Sequence, residues 1–296
     1  HSVDTGLDAR HLVLFNVAPG TDGFRGAQLG DFYAGLLARL RALPGVTAAA
    51  ASDKVPAGEG RDSTSGIALT AAAAHTRNPR TYTVWVSPGF FAVYALPLRA
   101  GRDFAPTDSA TAEPVAIVNQ TMARRFPNGA LGHNLYWGAR VLRVVGVAAD
   151  ASYRGVQEGP VPVVYTPVAQ QLDSVPLLSF VLRSPLSAAA LAPAIRGAVA
   201  DLSPSVPVTN LETQQEAMAA TYLAQNLLAG FCGGLAIVVL LLAAIGLYGL
   251  IAFAVVRRTR EFGIRIALGA TRAGVARLIL RETLVIVAIG GGAGLA

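Results

Sequence analysis

Thirty consecutive residues without a charge, Leu227 to Val256 (LLAGFCGGLAIVVLLLAAIGLYGLIAFAVV), constrain this chain more than any other stretch. As a helix rising about 1.5 Å per residue the run would extend about 45 Å, against a hydrocarbon core of about 30 Å. It reads as a membrane span with a turn or two projecting. Arg257 to Glu282 follows at once, with seven arginines and two glutamates. A span followed by a basic segment sets orientation, so Arg257 onward is expected in the cytoplasm and residues 1–225 outside it.

Charge decides one partner class. The pI of 9.9 would ordinarily raise nucleic acid, but five of the six net positive charges lie in that single block. No basic patch with interleaved aromatics occurs elsewhere, so nucleic acid is not expected as a partner. Cys232 is the only cysteine and lies within the span, so the outer part stands on its apolar core rather than on disulfides.

The outer part shows a repeated pattern. Leu12 to Val17 is a β-rich run. Gln28 to Leu43 carries Leu29, Phe32, Leu36, Leu37, Leu40 and Leu43 at helical spacing, and Val46 to Ser52 can be the next strand. A second unit runs from a strand at Leu178 to Leu182, through a helix at Ser187 to Leu202 with Ser184 or Ser187 as N-cap, to a strand at Val206 to Leu211. Two such units suggest a split ferredoxin-like layer, residues 1–53 with 178–212, and an insert at 54–177. Within the insert, residues 56–80 are loop-like. Tyr82 to Val86, Val115 to Val118, Val141 to Val147 and Val161 to Tyr165 read as short strands of a mostly β lobe. The fold class is therefore α+β, followed by transmembrane α-helices.

Thr213 and Glu216 form a capping box, and nothing from there to Val256 breaks a helix. One continuous stalk and span, 213–256, is expected. Thr283 to Ala296 reads as the start of a next span, and a head outside the cytoplasm implies a span before His1. The sequence thus reads as a fragment of a longer protein.

No catalytic set is visible. His1, His11, His75 and His133 lack metal-ligand spacing, and Lys54 sits in SDKVPAG rather than in a phosphate-binding loop. No catalytic, cofactor-binding or metal-ligating residues are expected. Gly230 with Gly234, and Gly290 with Gly294, are spaced for close helix packing, although glycine is frequent in spans. Taken alone, Arg257 to Glu282 could be a basic helix on the lipid surface that only fixes topology.

The residues REFGIRIALGAT, Arg260 to Thr271, after a span ending AAIGLYGLIAFAVVRRT, closely resemble the signature of the FtsX/MacB family of ABC-transporter permeases. GRDF at 101–104, VAIVNQTMARRFP at 115–127, LG at 131–132, VVGVAAD at 144–150 and VYTPVAQ at 164–170 resemble that family's periplasmic domain, as found in long permeases with two such halves. The resemblance implies an α/β and a mostly β periplasmic lobe, in a bacterial inner-membrane protein that is not itself an enzyme. It also implies an ABC ATPase subunit docking on 257–282, with Arg260, Glu261, Phe262, Gly263, Arg265, Gly269 and Ala270 forming or shaping the contact. Phe262 stands where Ile or Val is more usual. Such permeases transmit conformational change, in efflux or mechanotransmission, as a homodimer or paired halves, with membrane lipid and a periplasmic protein as further partners. The alternative is a membrane-anchored periplasmic binding or regulatory protein that recruits a hydrolase or lipoprotein without transport. A tethered periplasmic enzyme would need a catalytic cluster.

Overall fold

The computed structural model describes residues 11–56, 64–73, 81–151, 153, 160–172 and 177–257. The chain divides into two compact units, His1–Leu223 and Ala224–Ala296. The element order begins β1 (Leu12–Val17), α1 (Gly26–Arg41), β2 (Ala48–Ser52), β3 (Thr64–Ser65), β4 (Ile67–Ala68), β5 (Thr81–Val86), α2 (Phe90–Val93) and β6 (Leu98–Gly101). It continues with β7 (Val115–Asn119), α3 (Gln120–Ala123), β8 (Asn134–Trp137), β9 (Arg140–Ala148), β10 (Val163–Pro167), β11 (Leu178–Arg183), α4 (Ala188–Ala200), β12 (Val208–Thr213) and α5 (Gln214–Arg257).

The strands lie in the order β12-β1-β11-β2-β5-β10-β7-β9-β8-β4, with β3 beside β5 and β6 beside β9. The first four are antiparallel neighbours. Two β-α-β units interleave to make them, which is the ferredoxin-like arrangement. The apolar stripe of α1 (Leu29, Phe32, Leu36, Leu40) and that of α4 (Leu191, Ile195, Val199) bury against Val13, Phe15, Val17, Phe180 and Leu182. Phe15 stacks on Phe180 with centroids 5.4 Å apart. Ser187 caps α4 by accepting from the Ala190 N–H at 3.3 Å, while Ser184 Oγ accepts from the Leu186 N–H.

The other face of this layer is covered too. Leu12, Leu14, Ala50 and Val181 turn into a second cluster with Tyr82, Val84, Val86, Phe90, Tyr94 and Tyr165 from the central part of the chain. Burial on both faces explains why β1 is apolar at every position but Asn16 instead of alternating. The central part is not a simple meander, because β5 pairs with β10 and β7 with β9 in parallel. A third cluster (Ile67, Val118, Met122, Leu135, Leu142) closes its far end.

The outer sequence motifs act as stitches here. The Asn119 side chain caps α3 through the Met122 N–H at 2.9 Å and ties β7 to β10 through the Val163 N–H at 2.9 Å. Asp150 accepts from Thr121 N–H at 2.8 Å and its hydroxyl at 2.9 Å. The Gln170 side-chain Oε1 accepts from Val115 N–H at 3.2 Å. Gly101 has φ +74°, and a Cβ there would lie 2.2 Å from the Val145 carbonyl oxygen. Only glycine lets β6 turn this close to β9.

Gly101→Ala is expected to destabilise the head by at least about 3 kcal/mol, since backbone strain and overlap with a backbone oxygen add. Thermal unfolding in detergent, followed by near-UV circular dichroism, measures it. The next residue, Arg102, donates to both oxygens of Asp108 at 2.8 and 2.9 Å. That hydrogen bond holds the Asp108 carboxyl below the usual carboxylate range. A depressed pKa gives stability that is present above the unfolded value of about 4 and lost as pH falls through the folded one. With Arg102 half exposed, the contribution is about 1 kcal/mol, so Asp108→Asn should lower Tm by about 2–4 °C at neutral pH. The two proteins should converge in Tm as the pH drops below the carboxylate range.

Candidate functional site

The chain passes from sheet to long helix at Thr213-Gln214, and the sequence fastens that point in two ways. The first is local. Thr213 Oγ1 accepts from the Glu216 N–H at 3.2 Å, and Glu216 Oε2 accepts from the Thr213 N–H at 2.7 Å and its hydroxyl at 2.8 Å. These bonds, the backbone one first, lower the Glu216 carboxyl pKa. The second is long-range. Gln214 is buried, and its Nε2 donates to the Pro56 carbonyl at 2.9 Å, across 158 residues of chain. Ala217, one turn on, packs against the cluster shared by both halves of the head.

Pro56 ends a short polar clasp that starts in β2. Asp53 N–H donates to Trp85 O at 3.1 Å, and Trp85 N–H returns a bond to Asp53 Oδ1 at 2.7 Å. Lys54, only 6% exposed, reaches Asp53 Oδ2 at 3.0 Å and donates to the Thr83 carbonyl. Its ammonium also lies 5.4 Å from the Tyr82 ring centroid and 5.9 Å from that of Trp85. Burial raises the Asp53 carboxyl pKa, and Lys54 opposes that shift. Beside the clasp, Tyr153 packs between Tyr82 and Tyr165, at 5.6 and 6.2 Å. The hydroxyls of Tyr94, Tyr153 and Tyr165 are buried with no hydrogen bond of good geometry. Burial pushes all three phenols up, so they stay protonated.

A shallow groove of about 590 Å³ lies over β9, lined by Arg102, Glu113, Leu131 and Arg143 among others. Arg143 lies 3.8 Å from Glu113, so each guanidinium there faces a carboxylate. Among the described residues, no three His, Cys, Asp or Glu side chains come together as a metal site. His133 packs on Phe126 with centroids 5.8 Å apart.

Beyond the joint, α5 is a single helix of 44 residues, and Gly230–Leu250 is long and apolar enough to cross a membrane. Most of its described large apolar side chains are exposed, Phe231 at 78% and Tyr248 at 75%. A surface this apolar needs lipid or protein around it. Gly230 and Gly234 lie on α5 with open space where a Cβ would stand. Arg257 is the last described residue of α5, its guanidinium 5.6 Å from the Phe253 ring centroid. Arg260, Glu261, Phe262, Gly263, Arg265, Gly269, Ala270, Gly290 and Gly294, with His1 and His75, lie outside the described residues.

Sequence reasoning had no role for Asp53, Lys54 or Gln214. A signal was available for one of them, since Lys54 is the only lysine in 296 residues and follows an aspartate directly.

The model of the MacB-like periplasmic core domain matches residues 4–198, and that of the FtsX-like permease C-terminal region matches residues 233–296. The macrolide export ATP-binding/permease protein MacB 1/2 of Paracoccus denitrificans is 30% identical over 99% of this chain and 45% of its own length. The pyoverdine export ATP-binding/permease protein PvdT of Pseudomonas putida is 28% identical over 75% of this chain and 36% of its own length. The chain thus spans about a third to a half of these relatives. Among solved structures, the periplasmic region of MacB from Actinobacillus actinomycetemcomitans aligns with a TM-score of 0.47 at 14% identity, over 75% of this chain and 95% of that one.

Asp53→Asn should destabilise the head by about 3 kcal/mol, because it removes the Asp53 charge that faces the buried Lys54 ammonium at 3.0 Å. The double variant Asp53→Asn with Lys54→Met should recover at least half of that loss. Urea denaturation of the three proteins tests the order.

Proposed function

The chain belongs to the family of ABC-transporter permeases that carry a MacB-like periplasmic core domain and an FtsX-like permease region, and from this premise we propose that it transmits ATP-driven movement across a bacterial inner membrane. In this reading residues 1–225 are periplasmic, α5 crosses the bilayer, and Arg257 onward is cytoplasmic. The α/β lobe (1–53 with 178–212) and the inserted lobe (54–177) form the head, and 213–256 is the stalk and span. A separate or fused ABC ATPase hydrolyses ATP, and the chain itself catalyses nothing.

The observation that carries the reading is the unbroken α5. Its first turn is tied into the core of the head, its middle is apolar, and its last described residue, Arg257, opens the basic segment. A helix without a break resists bending, so displacement at one end is felt at the other. Arg260, Glu261, Phe262, Gly263, Arg265, Gly269 and Ala270 form the docking surface for the ATPase. The alternating charged and apolar residues of Arg260 to Ile266 support that role, as do the turn-forming Gly269 and the match of the FtsX-like region. Gly230 with Gly234, and Gly290 with Gly294, pack spans together within a homodimer or between paired permease halves. The remaining apolar surface of α5 contacts lipid, and the head engages a periplasmic partner protein.

The test is a pull-down of the cognate ATPase. Reversing both charges, Glu261→Arg with Arg265→Glu, should reduce capture at least about tenfold, the range for truncating or reversing charged anchors at an interface. Undiminished capture by the charge-reversed protein would remove the coupling role.

A further inference from the structure

We infer that Gln214 and the segment Ser52–Pro56 form the transfer element by which the base of α5 grips the inserted half of the head. The inference rests on the transmission reading for its purpose, but its structural content stands apart from any ATPase.

The geometry gives the base of α5 two holds on one sheet. The first is covalent: α5 continues directly from β12, the edge strand. The second is the Gln214 amide on the Pro56 carbonyl, four residues beyond the end of β2. In the sheet, β2 is three strands from β12. At about 4.8 Å per strand, the two strands that lead to these holds are about 14 Å apart. A shift of the first turn of α5 therefore pulls on the sheet at two strands rather than at one edge alone.

What lies downstream of Pro56 decides where the second hold delivers its force. Asp53 and Lys54 bind β5 through Trp85 N–H, Trp85 O and the Thr83 carbonyl, all within three residues of Pro56. β5 is the strand at which the sheet leaves the ferredoxin-like layer. β12 in contrast pairs with β1 and leads only into that layer. Gln214 thus gives α5 a direct route into the inserted half, bypassing β1 and β11.

The surroundings suit a second arrangement. Among the described residues, Gln214 Oε1 and the Tyr94 hydroxyl are buried without a hydrogen-bond partner, and the Tyr153 and Tyr165 hydroxyls make no hydrogen bond of good geometry. A core region whose polar groups are already incompletely satisfied has less to lose on rearranging than one that is fully bonded.

Hydrogen–deuterium exchange on the whole chain in lipid nanodiscs tests this. The reporters are the amides of Asp53, Trp85 and Ser87, which bond across the β2–β5 junction. Gln214→Leu should raise their exchange about tenfold, the effect of one buried hydrogen bond, with the α1 amides unchanged. Gln214→Met, which keeps the volume without the amide, should do the same and covers the case in which the leucine variant folds poorly. Glu216→Ala, which loosens the helix cap without touching Pro56, should raise exchange in the first turn of α5 alone. Unchanged exchange at the reporters overturns the inference. So does an equal rise in α1, which would mean general destabilisation, or an equal response to Glu216→Ala. No ATPase is present, so this result and the docking result fail independently.

Discussion

The sheet passes from one half of the head to the other through a single residue pair, Ser52 opposite Val86. Such a junction is weak as a ladder, and the residues around it reinforce it in several ways. Ser87 N–H bonds to Ala51 O at 2.8 Å, and Ala51 N–H bonds back to Ser87 Oγ at 2.9 Å. Asp53 and Trp85 exchange two more bonds on the other side. Beneath the junction, Val84, Val86, Phe90 and Tyr165 pack with Leu12, Leu14 and Val181 in one cluster. The halves are therefore joined by shared apolar burial and only guided by the strands. Either half alone would expose that face.

The parts legible in the sequence were those in which a local period matched burial. The two β-α-β units stand out because α1 and α4 each carry one apolar stripe, and Leu12 to Val17, Asn16 apart, is apolar on both faces because both are covered. The capping box at Thr213 and Glu216 was legible because its partners are three residues apart. What could not be read was pairing over long separations. Nothing in Val115 to Val118 announces that β7 runs parallel to β9, nor does Tyr82 to Val86 show its parallel partner β10. The joint was hidden for the same reason, since Gln214 and Pro56 meet only once the fold is complete.

The outer motifs that carried the family resemblance have an immediate physical role. Gly101, Asn119, Asp150 and Gln170 each hold backbone in place, by close approach or by hydrogen bonds to main-chain groups. Family likeness in the head thus falls on residues that hold its frame. The residues expected to meet an ATPase belong instead to 257–282, where apolar periodicity and charge alternate over short range and the family model again matches.

A buried lysine–aspartate pair is a costly way to hold a joint together. Apolar residues of equal volume often hold a fold as well or better, because two charges removed from water recover their hydration only with good geometry. Here the geometry is constrained on every side: Lys54 has a carboxylate, a carbonyl and two aromatic faces, and Asp53 has a backbone N–H as well. Apolar contacts slide with little preference for register, whereas this set is satisfied in one alignment of Ser52–Pro56 against β5. Under the transmission proposed above, a joint that returns to the same position after each displacement gains more from that selectivity than from additional stability. The same logic accounts for Gln214, whose amide defines where the first turn of α5 sits against Pro56, a position that a leucine would leave free to drift.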